Sequence, residues 1–118
     1  MPKQKSNNTK KDLQINIIRK QLDTIVLTFL REQPMYGYEL MTKIQKTFGI
    51  HFGPSTIYPF LAQLEKNGLV KSKWNIEEKR PRKNYHITTK GQETLTATAD
   101  TINLLYQKTY TNTTTDEE

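Results

Sequence analysis

The sequence predicts a mainly α domain that carries one small β-hairpin. Three observations lead there. Residues 12–67 hold three amphipathic helical stretches joined by short links. Two short segments rich in β-branched and aromatic residues, "LVKSKW" and "KNYHIT", then flank a charged tip. A fourth helical stretch with near-heptad spacing follows. The order helix, helix, helix, hairpin, helix is that of a winged helix-turn-helix extended by a long C-terminal helix.

The first helix is expected over "DLQINIIRKQLDTIVLTFLREQP". Asp12 caps it, Ile18, Leu22, Ile25, Val26 and Phe29 mark one face, and Pro34 sets its latest end. "YGYELMTKIQKTFG" supplies the second, with Leu40, Met41, Ile44 and Phe48 as its stripe and Gly49 as its stop. In the third, "GPSTIYPFLAQLEKNG", Ile57, Phe60, Leu61 and Leu64 fall at i, i+3, i+4 and i+7, and Asn67-Gly68 ends the run. Thr88 or Thr89 caps the last helix, which runs from about Lys90 to Tyr110 with Leu95, Ala99, Ile102, Leu105 and Tyr106 along its seam. Before the first helix, residues 1–11 hold four lysines and no apolar residue after Met1 and Pro2, the composition of a disordered basic arm. Residues 111–118 form a polar tail of the same kind. The expected division is therefore arm 1–11, winged-helix domain 12–88, C-terminal helix 89–110 and tail 111–118.

Composition narrows the function. The 118 residues suffice for one domain, and 34% of them are apolar, enough for a modest core. No apolar run approaches the ~20 residues needed to cross a bilayer, and the start "MPKQKSNNTKK" lacks the apolar core of a secretory signal. Cysteine is absent, so neither disulfides nor thiolate metal sites are available. A cytoplasmic protein is the simplest account. The formal charge is +6, and residues 1–115, with 18 bases against 9 acids, carry +9. Such a balance suits a polyanionic partner. Catalysis has no constellation to support it. His51 and His86 are far apart in the chain, there is no HExxH and no glycine-rich phosphate loop, and Glu77 and Glu78 stand on a charged loop where no dry pocket raises a pKa. No cofactor and no metal are expected.

Pro59 sharpens the reading of the third helix. A proline inside a helix costs about 3 kcal/mol, so it sits cheaply only where a helix has just begun. With Ser55 as the N-cap it forfeits one hydrogen bond, and with Thr56 as the cap none. The alternative is an earlier start with Pro54 at the first helical position. Both readings place a helix N-terminus among Ser55, Thr56 and Tyr58. Such an end offers free N–H groups and a positive dipole, and short hydroxyl side chains let it approach a groove of DNA closely. An ordinary core helix cap uses the same residues, and the basic hairpin that follows favours the DNA face. There "EEKRPRK" places Lys79, Arg80, Arg82 and Lys83 within five residues, a wing suited to phosphates or to the minor groove. Tyr36, at the front of the second helix, is a further phosphate donor, with packing beside Pro34 as its other role. Trp74 is expected to pack the base of the wing. Gly37 and Gly91 are read as backbone positions.

Four segments together are specific. Gly37-Tyr38-Glu39, Thr56-Ile57-Tyr58-Pro59, Leu64 through Leu69, and Tyr85-His86-Ile87-Thr88 before Gly91 resemble the PadR family of transcriptional regulators, over about Arg19 to Leu95. The resemblance implies a homodimeric repressor on operator DNA, in many members released by a small aromatic or drug-like ligand. The single short C-terminal helix is similar to the subgroup that dimerises through it. Some members of that subgroup hold planar drugs with a tryptophan on this helix; here the helix carries Tyr106 and Tyr110 and no tryptophan.

The expected protein is thus a DNA-binding repressor whose last helix, with the first, forms a two-fold interface through Leu95, Ala99, Ile102, Leu105 and Tyr106. Two recognition helices about 34 Å apart then read a pseudo-palindromic operator. A planar aromatic effector, if bound, is expected near Trp74 or Tyr106. Two other readings use the same features: a winged-helix regulator of replication or viral type that needs no inducer, and a basic module that binds an acidic protein.

Overall fold

The computed structural model describes residues 2–77 and 79–111. The elements are α1 (Pro2–Lys20), α2 (Leu22–Glu32), β1 (Met35–Tyr36), α3 (Gly37–Phe48), α4 (Pro54–Lys66), β2 (Val70–Asn75), β3 (Arg82–Ile87) and α5 (Thr89–Tyr106), the last continuing into a π-helical turn at Gln107–Thr111. Helices α2, α3 and α4 with the β2–β3 hairpin form a winged helix-turn-helix, and α5 follows it as the extra helix.

The long first helix of the sequence reading is two. The chain breaks at Gln21, whose N–H is shared between the carbonyls of Ile17 and Ile18 at 3.2 and 3.0 Å, and Asp12 caps nothing because α1 already begins at Pro2. Residues 2–11, expected as an irregular arm, belong to that helix. Proline is favoured at the first helical position, and the lysine-rich run that follows holds good helix formers. The break separates two kinds of helix. Leu22, Ile25, Val26, Leu27, Phe29 and Leu30 of α2 are buried, whereas Leu13 and Ile17 of α1 are exposed. The polar tail from residue 112 onward lies outside the described residues.

Helix α3 starts where Glu39 accepts the Tyr36 N–H at 2.9 Å and stops at Gly49, in the left-handed region at φ 71°, where a Cβ would be strained. Leu40 and Ile44 are fully buried, but Phe48 is 38% exposed and stands at the rim rather than in the core. Helix α4 is N-capped by Gly53, with Pro54 at its first position, so the earlier start is the correct one. Gly53 serves both Thr56 and Ile57 N–H through its carbonyl at 3.0 Å. Pro59 then lies inside the helix, and the Ser55 carbonyl loses its i+4 donor. The stripe nonetheless holds, with Ile57 and Leu61 fully buried. The Leu69 N–H returns to the Leu64 carbonyl at 3.0 Å around Gly68, at φ 80°, which closes the helix and turns the chain into β2.

Beyond the expected hairpin, the sheet has a third strand. Its order is β1-β3-β2, antiparallel throughout, with Met35 opposite Tyr85 and Tyr36 opposite Asn84. Two residues after a proline leave little trace in a periodicity. The pairing brings the start of α3 to the wing. Thr88 caps α5 by accepting the Gly91 N–H at 3.0 Å, and its hydroxyl donates to the Gly68 carbonyl at 2.6 Å. A side chain at residue 91 would collide with the Leu69 carbonyl, so only glycine allows this approach.

Leu95 departs from the expected interface. It is 2% exposed and packs with the α2 residues in the chain's own core. A seam read from periodicity says that a face is apolar, not which neighbour covers it, and here the first turns of α5 are covered by α2. Ala99, Ile102, Leu105 and Tyr106, farther along, are exposed.

Candidate nucleic-acid interface

The exposed side of α4 carries Ser55, Thr56 and Tyr58 outward, as the sequence reading expects. Tyr58 is not free to swing. Its ring lies over Gly37, where an added Cβ would stand 2.5 Å from Cε1. The missing side chain at Gly37 lets the starts of α3 and α4 come together and leaves the phenol 43% exposed.

The hairpin stands beside this end. Lys79, Arg80 and Lys83 are exposed at and next to its tip, and Lys83 Nζ lies 5.4 Å from the centre of the Trp74 ring. Arg82 is different: its guanidinium sits over Tyr36 at 4.1 Å and over Tyr38 at 4.9 Å. Tyr36 is held as well, its hydroxyl accepting from Asn75 Nδ2 at 2.6 Å. The tyrosine expected as a phosphate donor is therefore half-buried between the start of α3 and the wing. Trp74, expected to pack the base of the wing, is 61% exposed on β2 opposite Lys83; it shares a strand face with Val70 and Ser72 but lies farther along, where it lines an open cleft instead of the core.

Glu65 escapes the sequence reading. Its carboxylate accepts the Ser72 N–H at 3.0 Å and the Ser72 hydroxyl at 2.8 Å, pinning β2 to the back of α4. The two Ser72 hydrogen bonds, backbone first, and the nearby Lys83 charge hold this carboxyl below the usual range. One signal was present: Glu65 is four residues after Leu61, on the edge of the buried stripe, where a charged side chain needs a partner. On β3, burial together with Lys73 and Lys71 lowers the His86 pKa. The shift favours the neutral imidazole over a further charge on the wing. Burial is also the first cause that raises the Tyr85 hydroxyl.

Between α4 and the wing lies an open cleft of about 390 Å³, with Tyr36, Tyr38, Tyr58, Trp74, Arg82 and Lys83 on its walls and Glu65 at one side. Rings and cations in one groove next to a helix start can stack on, bond to and neutralise a polyanion. Tyr106 does not line this cleft; it pairs with Tyr110 at the far end of α5, ring centres 4.9 Å apart. The two residues named for a ligand are thus not brought together within one subunit's cleft. Among the described residues no group of three His, Asp or Glu side chains could hold a metal ion, and no helix is long and apolar enough to cross a membrane.

Known proteins share this arrangement. A PadR family transcriptional regulator from Eggerthella lenta superposes with a TM-score of 0.80 at 30% identity, over 89% of this chain and 92% of that one. The Bacillus subtilis PadR structure in complex with operator DNA matches with a TM-score of 0.59 at 25% identity, over 64% of this chain and 44% of that one. Among curated relatives, a 37.1 kDa protein in transposon TN4556 of Streptomyces fradiae is 30% identical over 93 residues, which are 79% of this chain and 26% of that protein. The chain thus spans about a quarter of that relative's length. The family described as "Transcriptional regulator PadR-like family" matches residues 26–97, from the middle of α2 through the first turns of α5. With the match covering more than half of its length, and the helices and wing superposing on solved members, the chain belongs to the PadR-like family of transcriptional regulators.

Proposed function

We propose that this chain is a homodimeric repressor that reads a pseudo-palindromic operator in double-stranded DNA. One observation carries the reading: Ser55, Thr56 and Tyr58 are exposed at the start of α4, and Tyr58 lines a single cleft with Arg82 and Lys83 of the wing. The start of α4 enters the major groove and supplies base contacts, while Lys79, Arg80 and Lys83 take the phosphates. The operator complex of the Bacillus subtilis relative supports duplex DNA as the partner.

Dimerisation uses the exposed half of α5. Ile102, Leu104, Leu105 and Tyr106 are 41–60% exposed, and water-facing apolar residues crowded on one helix mark an interface. Ala99 lies on the same helix and permits close approach; α1, with Leu13 and Ile17 exposed, contributes the second helix. An aromatic effector enters the flat space between subunits beside Tyr106. Thermal-shift screening with planar aromatics checks that part, and a panel that raises no melting temperature removes the effector from the reading.

Selection of bound duplexes from a random pool tests the core of the proposal. A two-fold symmetric consensus is expected, bound with an affinity that falls with salt. If the dimer neutralises ~8 phosphates, log K declines against log salt with a slope of roughly −7. Tyr58→Ala is expected to lose discrimination between sequences, and Arg80→Ala to weaken all duplexes alike. A pool that yields no consensus, with binding indifferent to salt, overturns the reading in favour of a protein partner.

A further inference from the structure

We propose that Arg82 is a positioning residue of the wing, latched on the rings of Tyr36 and Tyr38, rather than one of its phosphate-binding cations. The inference rests on the duplex-binding reading above and assigns a distinct task within it. Tyr36 and Tyr38 stack nearly parallel, 6° apart, with ring centres separated by 6.1 Å. The guanidinium lies over both, at 4.1 and 4.9 Å. A planar, weakly hydrated guanidinium suits that double stack, whereas a compact ammonium does not.

The position of the latch gives it a consequence. Arg82 and Asn75 are ladder partners, the last paired residues before the tip. Both engage the start of α3, Arg82 through the two rings and Asn75 through the Tyr36 hydroxyl at 2.6 Å. Lys79 and Arg80 project from the loop immediately beyond that pair. Since Tyr58 also packs on Gly37 at the start of α3, the same few residues fix the start of α4 and the root of the cationic tip. The latch aims the phosphate-binding residues relative to the recognition helix.

The experiment measures affinity and its salt slope on the selected operator for the wild-type chain, Arg82→Lys, Tyr38→Leu, Tyr38→Phe and the Arg82→Lys/Tyr38→Leu double variant, each checked for folding by its circular-dichroism melt. None of these changes alters the formal charge. Arg82→Lys and Tyr38→Leu are each expected to bind roughly tenfold more weakly, the size of stacked cation contacts. Their salt slopes stay at the wild-type value. Tyr38→Phe, which keeps the ring, recovers most of the affinity that Tyr38→Leu loses, and the double variant is no weaker than Arg82→Lys alone, because Tyr38→Leu removes part of the stack that Arg82→Lys already removes. By contrast, Arg80→Gln lowers the slope by ~1.8 for two subunits. Arg82→Lys with wild-type affinity, Tyr38→Phe as weak as Tyr38→Leu, or losses that multiply in the double variant overturn the latch while leaving duplex binding intact. A wild-type chain without salt-sensitive operator binding overturns the duplex reading itself, and the role of the latch with it.

Discussion

The wing and the far half of α5 both carry large aromatic or aliphatic side chains at the surface, yet they are held in opposite ways. Around the wing, polar and ring interactions within the chain take up the exposed groups: Glu65 holds Ser72, Asn75 holds Tyr36, and Arg82 covers two rings. Along α5 and the π-helical turn that follows, Leu95 is buried, but Ile102, Leu104, Leu105, Tyr106 and Tyr110 remain 41–64% exposed. In the first region these contacts are all made within one subunit, although Trp74 and Ile76 stay exposed there. The second leaves its apolar side chains facing solvent in a single chain. Residues that recognise a rigid partner gain by being set in advance, because ordering them on binding costs free energy. Residues that bury one another across a two-fold axis need only a straight helix to stand on.

The largest expected effect contrasts the two halves of α5. Leu95→Ala should cost about 2–5 kcal/mol in a denaturant melt, the range for a core leucine. Leu105→Ala should change the stability of an isolated subunit by less than about 0.5 kcal/mol. Equal losses at both sites would erase the distinction. A step smaller, Ile102→Glu together with Leu105→Glu should convert the proposed dimer to a monomer in sedimentation. Operator affinity should then fall by about 100-fold, since each half-site is bound without its tether. A double variant that remains dimeric would move the interface elsewhere.

The smallest effect probes the wing. Replacing Glu65 with glutamine weakens two charge-assisted hydrogen bonds to Ser72 and is expected to lower stability by about 1 kcal/mol at pH 7. The pH dependence has a definite sign. A carboxyl held below its usual pKa in the folded chain adds stability that is present above the unfolded value and is lost as pH falls through the folded one. The wild-type melting temperature should therefore drop on acidification through and below the ordinary carboxylate range, with a smaller drop in Glu65→Gln. Parallel acid limbs in the two proteins would show that Ser72 does not hold this carboxylate.

Much of this was legible beforehand, for reasons that differ from residue to residue. The apolar stripes of α2, α3 and α4, the glycine stops at Gly49 and Gly68, the Thr88 cap and the two wing strands follow from spacing and turn chemistry over a few neighbouring residues. Those are local properties, and the backbone obeys them wherever the segment lies. Pro59 narrowed the start of α4 but did not choose it, because a favoured first-position proline at Pro54 outweighs the hydrogen bond lost one turn later.

Periodicity and breaker residues alone specify the order of elements, the cationic tip and the polar helix start beside it. Only the folded chain decides what each exposed group faces. The paired β1 strand, the inward turn of Leu95, the Glu65–Ser72 clamp and the seat of Arg82 on Tyr36 and Tyr38 all join residues at least seven positions apart. An apolar seam is the same string of letters whether its own core or a second subunit covers it, and an arginine carries the same charge over a ring as beside a phosphate. The partner is selected by which surfaces the helices and sheet bring within a few ångströms, and that depends on the packing of the whole core.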